Sequence, residues 1–118
     1  MARIHSFRNY TVKDGDAAYE QIQLTDAVTV KSLTPPKVAN EPVNAATIRI
    51  TASTAQTAGQ PCALYRVNGT DPAPAGTGGL PLFNGDILEL FQSEVENFRI
   101  MGLDANADYV AVEYAQVT

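Results

Sequence analysis

The chain has few of the residues from which small active sites and disulfide scaffolds are built. Its 118 residues include no tryptophan, one cysteine (Cys62) and one histidine (His5). One cysteine excludes an internal disulfide, an arrangement usual in reducing compartments. One histidine does not make a zinc site, because such sites combine several Cys, His or carboxylate ligands. We therefore expect His5 to be a solvated surface residue and Cys62 to be a small buried apolar one.

Positive charge and long apolar runs are also scarce. Eight Lys and Arg residues stand against 13 Asp and Glu, which gives a formal net charge of −5. The basic residues are scattered from Arg3 to Arg99, so we expect no nucleic-acid partner, since a basic patch supplies most of that affinity. No apolar run is long enough to span a membrane, and the N-terminus lacks the apolar core of a signal peptide. We expect a protein made in the cytoplasm with no membrane partner.

The chain is rich in short stretches where apolar and polar residues alternate, a pattern typical of strands with one buried face. The clearest stretch is 46–52, in which every second residue is apolar. Turn signals such as Asp-Gly and Asn-Gly separate these stretches at intervals of about 8–12 residues. The residues predicted to lie on apolar strand faces are Ile22, Leu24, Val28, Val30, Ala46, Ile48, Ile50, Ala52, Leu88, Leu90, Phe98, Ile100, Val110, Val112 and Tyr114.

These patterns predict an all-β fold, a single-domain β-sandwich or jelly roll over residues 1–118 with about seven or eight short strands. A small barrel is the alternative. Residues 1–12 form either an edge strand or an N-terminal arm that orders on docking. A proline-rich loop over 34–44 and a Gly/Pro-rich loop over 68–82 interrupt the strands. A turn, or a very short helix capped by Ser93, is expected over 93–97.

The sequence contains no set of residues with the spacing of an active site. The series Asp104-x-Asn106-x-Asp108 begins like a calcium loop, but Tyr109 and Ala115 stand where that loop needs glycine and glutamate. The glycine-rich stretch 76–79 lacks the Lys-Ser/Thr ending of a phosphate-binding loop. We therefore predict no catalytic residue, no metal site, no cofactor and no enzymatic activity.

Several segments in the second half of the chain resemble, in order and spacing, a pattern found in small virion proteins of tailed phages and prophages. In that pattern a strand ending in Tyr-Arg leads to Gly-Thr-Asp-Pro, a small-residue loop and Pro-Leu. A Gly-Asp turn and three further strands follow. The matching segments here are Tyr65–Pro72, Gly79–Leu82, Gly85–Leu90, Asn97–Ile100 and Val110–Tyr114. Residues 73–75, Ala-Pro-Ala, depart from the pattern, which often has Thr or Ser there, and residues 1–45 lie outside it.

The resemblance implies a jelly-roll capsid decoration protein, also called a cement protein. Such a protein binds the outside of the shell at joints between subunits of the major capsid protein and holds them together. It commonly does so as a dimer or trimer, and it is made in the host cytoplasm before joining the virion. Because it binds only the assembled shell, it would stabilise the shell by mass action.

A partner of this kind is expected to contact arms, edges and loops. The candidate contact residues are Ile4, Phe7, Tyr10, Pro35, Pro36, Asp71, Pro72 and Phe83. The prolines would dock at low entropic cost, because a proline-rich segment is already stiff when free. Two alternatives stay open. One is a tail, fibre or head–tail accessory protein; the other is a carbohydrate-binding β-sandwich module, for which Tyr10, Tyr19 and Phe83 are the candidate aromatic residues.

Overall fold

The alternating stretches of the sequence form strands, and the turn residues end them. The computed structural model describes residues 19–38, 41–73 and 78–115, and these contain ten strands and one five-residue helix. The elements are β1 (Tyr19–Leu24), β2 (Val30–Ser32), β3 (Lys37–Val38), β4 (Glu41–Pro42), β5 (Ala45–Thr51), β6 (Ala63–Arg66), β7 (Leu80–Leu82), β8 (Ile87–Phe91), α1 (Ser93–Asn97), β9 (Arg99–Gly102) and β10 (Asp108–Ala115). The prediction of an all-β protein is confirmed.

Eight of these strands form two four-stranded antiparallel sheets. Sheet one has the order β1-β10-β5-β8 and sheet two the order β2-β9-β6-β7, while β3 and β4 make a separate two-stranded ribbon. The two central strands of sheet one, β10 and β5, pair from Tyr109↔Thr51 to Ala115↔Ala45. Strands that follow one another along the chain often belong to different sheets, so the chain crosses between the two sheets several times.

The inner faces of both sheets contribute to one hydrophobic core. In sheet one, Ile50 lies opposite Val110 and is fully buried with it. In sheet two, Ile100 of β9 and Leu82 of β7 belong to the same cluster. The buried residues that were predicted from alternation are Ile22, Leu24, Ala46, Ile48, Ile50, Leu90, Phe98, Ile100, Val110, Val112 and Tyr114. Ala52 and Leu88 are half-buried against them, so the predicted core is confirmed except at Val28 and Val30, which lie outside the cluster.

The turn between β1 and β2 differs from the expectation. Val28 was expected to continue the apolar face of β1, but its side chain is 80% exposed. The reason is Asp26, whose carboxylate accepts hydrogen bonds from the backbone N–H of Val28 at 2.9 Å and of Thr29 at 2.6 Å. These bonds favour the ionised carboxylate and lower the pKa of Asp26, with the Thr29 N–H contributing most. The turn takes the chain out of sheet one and into sheet two.

The two predicted loops also contain regular structure. The stretch 68–82 ends in β7, an edge strand of sheet two, although Pro81 lies within it. An edge position tolerates proline, because its missing N–H costs no hydrogen bond to a neighbouring strand. The stretch 34–44 contains the β3–β4 ribbon, in which Lys37 pairs with Pro42.

The short helix over 93–97 is present, but Ser93 does not cap it. The residue before the helix is Gln92, with φ of 56°, and no side chain caps the helix N-terminus. The nearby Glu94 Oε1 instead accepts the backbone N–H of Phe91 at 3.0 Å. The predicted Ser93 cap is therefore wrong, and the turn before the helix is held by the side chain of Glu94 within the helix.

Replacing Ile50 by alanine should lower the free energy of unfolding by about 2–5 kcal/mol, because a fully buried side chain leaves a cavity in the core. Urea unfolding followed by circular dichroism measures the change. Thr51→Ala on the same strand is the matched control, since Thr51 is exposed; its effect should stay within about 0.5 kcal/mol. An equally small effect of Ile50→Ala would contradict the burial of β5.

Candidate functional site

The turns and loops collect at two opposite ends of the sheets. Because β5 and β10 are antiparallel and Thr51 pairs with Tyr109, the chain after β5 and the chain before β10 lie at the same end. The segments 25–29, 52–62, 83–86 and 103–107 share this end, which we call the cavity end. The opposite end, which we call the helix end, holds α1 and the described parts of segments 33–44 and 67–79.

The predicted contact residues divide between these two ends. Four of them belong to the helix end: Pro35 and Pro36 are half-buried, Asp71 is exposed and Pro72 is buried. Phe83 lies at the cavity end and is 39% exposed. The three N-terminal candidates, Ile4, Phe7 and Tyr10, lie outside the residues that the structure describes, as does His5.

At the helix end, segments that carry the phage resemblance contact one another. The rings of Tyr65 and Phe98 lie 5.9 Å apart between centroids. The backbone N–H of Gly69 donates to the carbonyl of Asn97 at 3.0 Å. The end of β6 and the entry to β9 are therefore joined twice, once by ring packing and once by a hydrogen bond.

The loop that follows β6 folds back, so that Gly79 lies close to Tyr65 at the end of β6. Gly79 has φ of 129°, and a Cβ there would lie 2.7 Å from the Tyr65 carbonyl oxygen, so only glycine fits without a shift. The N–H of Ala73 donates to the carbonyl of Gly78 at 2.9 Å, and Pro72 is buried beside Gly79. Asp71 is exposed, and the buried residue next to it, Pro72, is held in place by these contacts.

A second set of hydrogen bonds holds the segment that carries Pro35 and Pro36. The Tyr114 hydroxyl of β10 donates to Glu20 Oε1 of β1, and the same oxygen accepts the Thr34 N–H at 3.0 Å. Burial, followed by the bond to Glu20, raises the pKa of Tyr114, so the hydroxyl remains protonated. This network fixes the start of the proline segment to sheet one.

At the cavity end, the buried carboxylate of Asp108 organises the 52–60 loop. Asp108 Oδ1 accepts the backbone N–H of Ser53 at 2.7 Å. Gln56 Nε2 donates to the Asp108 oxygens at 3.2 and 3.0 Å and to Asp104 Oδ1 at 3.0 Å. The aspartates of the rejected calcium-like series thus serve to hold a loop. Sequence reasoning missed Gln56, because more than 50 residues separate it from Asp108 and no local pattern links them.

The turn between β7 and β8 lies at the cavity end, across from the 52–60 loop. The Phe83 N–H donates to Asp86 Oδ2 at 2.8 Å, and the Asp86 N–H donates to the Phe83 carbonyl at 3.0 Å. Asn84 Oδ1 accepts the N–H of Ala52 at 3.0 Å, which ties this turn to the 52–60 loop. Hydrogen bonds therefore hold the backbone of Phe83 and the side chain of Asn84 in place.

Between the 52–60 loop and the β7–β8 turn lies a surface cavity with a volume of about 480 Å³. It is lined by residues of the 52–60 loop together with Phe83 and Asn84, and none of the ten lining residues is charged. The lining side chains offer amides, hydroxyls, small apolar groups and one aromatic ring. This chemistry suits an uncharged polar ligand, because no carboxylate, imidazole, amine, guanidinium or thiol is among the lining side chains.

Cys62 lies below the cavity end and is fully buried. Burial, with a smaller contribution from the negative charge of Asp108, raises the pKa of the thiol to about 11. Its Sγ lies 3.5 Å from the Leu82 carbonyl oxygen. Within the described part of the chain, no group of three or more His, Cys, Asp and Glu residues is placed to hold a metal ion.

Comparison with known proteins gives no match, since no family model, no curated protein sequence and no solved structure matches this chain. The helix α1 has five residues, and none of the described residues forms a helix long and apolar enough to cross a membrane.

Replacing Asp108 by alanine should loosen the 52–60 loop, because the Ser53 N–H loses its acceptor and the Gln56 amide keeps only Asp104 Oδ1. Amide hydrogen exchange at Ser53 should accelerate, and the free energy of unfolding should fall by about 1–3 kcal/mol. Asp104→Ala is the control, since it leaves the bond from Ser53 to Asp108 intact. Unchanged exchange at Ser53 in Asp108→Ala would refute the role assigned to the carboxylate.

Cys62 should react very slowly with a disulfide reagent such as dithionitrobenzoate while the protein is folded. Raising the thiol pKa from 9.0 to about 11 cuts the reactive thiolate fraction near pH 8 about a hundredfold, and burial limits access further. The same protein in denaturing urea is the control and should react completely. Equal rates in the two conditions would show that the thiol is not buried.

Proposed function

We propose that this chain is a structural protein of a tailed-phage virion, folded as a jelly-roll sandwich, which decorates the outside of the capsid shell and stabilises it. The observation that carries the proposal is the pairing of the eight strands in the two sheets. Here β1 pairs with β10, β2 with β9, β5 with β8, and β6 with β7. Each pair is nested inside the previous one, as expected when a single long hairpin is rolled up into two sheets.

This nested order supports a jelly roll, a fold with eight strands in two sheets that is common among viral capsid domains. The phage resemblance lends independent support, because its segments fall on consecutive elements. Tyr65 and Arg66 end β6, residues 79–82 enter and form β7, and residues 87–90 lie in β8. The remaining two segments enter β9 and lie in β10. A spacing pattern in the sequence and a pairing pattern in the fold thus favour the same kind of protein.

The helix end is the proposed attachment surface. Asp71 is exposed there on a loop held by internal hydrogen bonds, and Pro35 and Pro36 lie on a segment fixed to sheet one through Thr34. Docking of groups that are already fixed loses little conformational entropy. The major capsid protein is the proposed partner, and the decorating unit is a dimer or trimer of this chain.

Co-sedimentation tests the proposal. The purified chain is mixed with capsid shells that lack it, and separately with isolated tails from the same particle. We expect saturable binding to shells, shells that resist a higher temperature when decorated, and dimers or trimers in solution by light scattering. Absence of binding to shells, or binding to tails alone, would overturn capsid decoration.

Asp71→Lys should weaken shell binding at least about tenfold, equivalent to 1.4 kcal/mol, because it reverses the charge on the proposed attachment surface. Phe83→Ala is the control at the opposite end and should change the Kd by less than about twofold, within the range of residues outside an interface. Kd is measured by co-sedimentation with increasing protein. A larger loss for Phe83→Ala than for Asp71→Lys would assign attachment to the cavity end instead.

A further inference from the structure

The cavity lies at the end opposite to the proposed attachment surface, and its lining is uncharged. We infer that the cavity between the 52–60 loop and the Phe83–Asn84 turn binds a neutral sugar, a mono- or oligosaccharide without acidic groups. The inference rests on the composition, hydrogen bonding and rigidity of the cavity walls. It holds for the isolated chain and does not depend on capsid attachment.

The uncharged lining selects the class of ligand. Charged residues make up 18% of the chain, yet none of the ten residues around the cavity is charged. A phosphate or carboxylate ligand is normally held by Arg or Lys, and a divalent cation by several carboxylates. Amides and hydroxyls line the cavity instead. Such groups pair well with sugar hydroxyls, each of which donates one hydrogen bond and accepts others.

Several of these polar groups are available to a ligand. The Asn84 side chain uses its Oδ1 to accept the Ala52 N–H, while its amide nitrogen makes no hydrogen bond to the described chain. The side chains of Gln60, Thr54 and Thr57 likewise have no partner among the described residues. A sugar in the cavity would therefore meet both donors and acceptors that no protein group already occupies.

Phe83 supplies the apolar part of the site. Phe83 lines the cavity and is 39% exposed, so part of its apolar surface is accessible to a ligand. One face of a pyranose ring carries C–H groups and is apolar, so it can pack on an aromatic ring while the hydroxyls reach polar groups around it. Aromatic packing and uncharged hydrogen bonding are thus present in one cavity.

The walls are fixed before any ligand arrives. Asp108 holds the 52–60 loop through Ser53 and Gln56, and Asp86 holds the backbone at Phe83. Preformed walls spare a ligand the entropic cost of ordering them. The volume of about 480 Å³ falls within the range of roughly 300–1,000 Å³ that is typical of small-molecule sites.

Nuclear magnetic resonance of the full chain labelled with ¹⁵N tests the inference. Maltotriose, cellotriose, triacetylchitotriose and, as the acidic probe, N-acetylneuraminic acid are each added to about 10 mM, enough to fill most of a site with a Kd near 1 mM. We expect saturable shifts of the backbone amides of residues 52–60 and 83–85 with at least one neutral sugar. N-acetylneuraminic acid should give none.

Variants identify the site. Phe83→Ala should raise the Kd at least about tenfold, and Gln60→Ala, a change on an exposed side chain that leaves the turn intact, should also raise it. Tyr109→Ala is the matched control, because Tyr109 is 41% exposed but does not line the cavity; it should leave the Kd unchanged.

Three results would overturn the inference: no saturable shift with any neutral sugar, shifts located away from the cavity, or an unchanged Kd in both Phe83→Ala and Gln60→Ala. Saturable binding of N-acetylneuraminic acid at the cavity would overturn the restriction to neutral sugars. No capsid shell is present in these titrations, so a failure here leaves the decoration proposal standing, and a failure of shell binding leaves the sugar site standing.

Discussion

The pairing of β10 with both β1 and β5 is the interaction on which the rest of the structure depends. On one side β10 pairs with the first described strand, β1, from Tyr19↔Glu113 to Leu24↔Asp108. On its other side β10 pairs with β5, which comes from the middle of the chain. Closing such long loops costs conformational entropy, and contacts between distant residues form late. The complete burial of Val110 and Val112 offsets this cost, because the inner face of β10 lies at the centre of the shared core.

The same strand organises both ends of the molecule. It begins at Asp108, whose carboxylate holds the 52–60 loop and so one wall of the cavity. Near its other end, the Tyr114 hydroxyl bonds Glu20, which in turn accepts the Thr34 N–H and fixes the proline segment. The two proposed surfaces are therefore rigidly related through β10. A shell bound at the helix end would leave the cavity end facing solvent.

The local part of this architecture could be predicted from the sequence. Period-two alternation identified the buried faces of β5 and β10, because side chains on a strand alternate between faces whatever the strand pairs with. Strand order and long-range contacts could not be predicted. Partners such as Gln56 and Asp108 are far apart in the sequence and meet only because the strands pair into sheets. Phe83 was predicted to be a contact residue, but its neighbours in the cavity, apart from Asn84, come from a loop 23–31 residues earlier. The exposure of Val28 was missed, because the Asp26 side chain overrides the alternation locally.

If the decoration proposal is right, the particle assembled from the genome that encodes this chain carries the chain on its shell, and electron cryo-microscopy of that particle is the decisive test. We expect density on the outer surface of the capsid, at joints between major capsid subunits, into which the two four-stranded sheets fit with the helix end against the shell. A particle that lacks the chain, or that carries it only on the tail, would rule out capsid decoration.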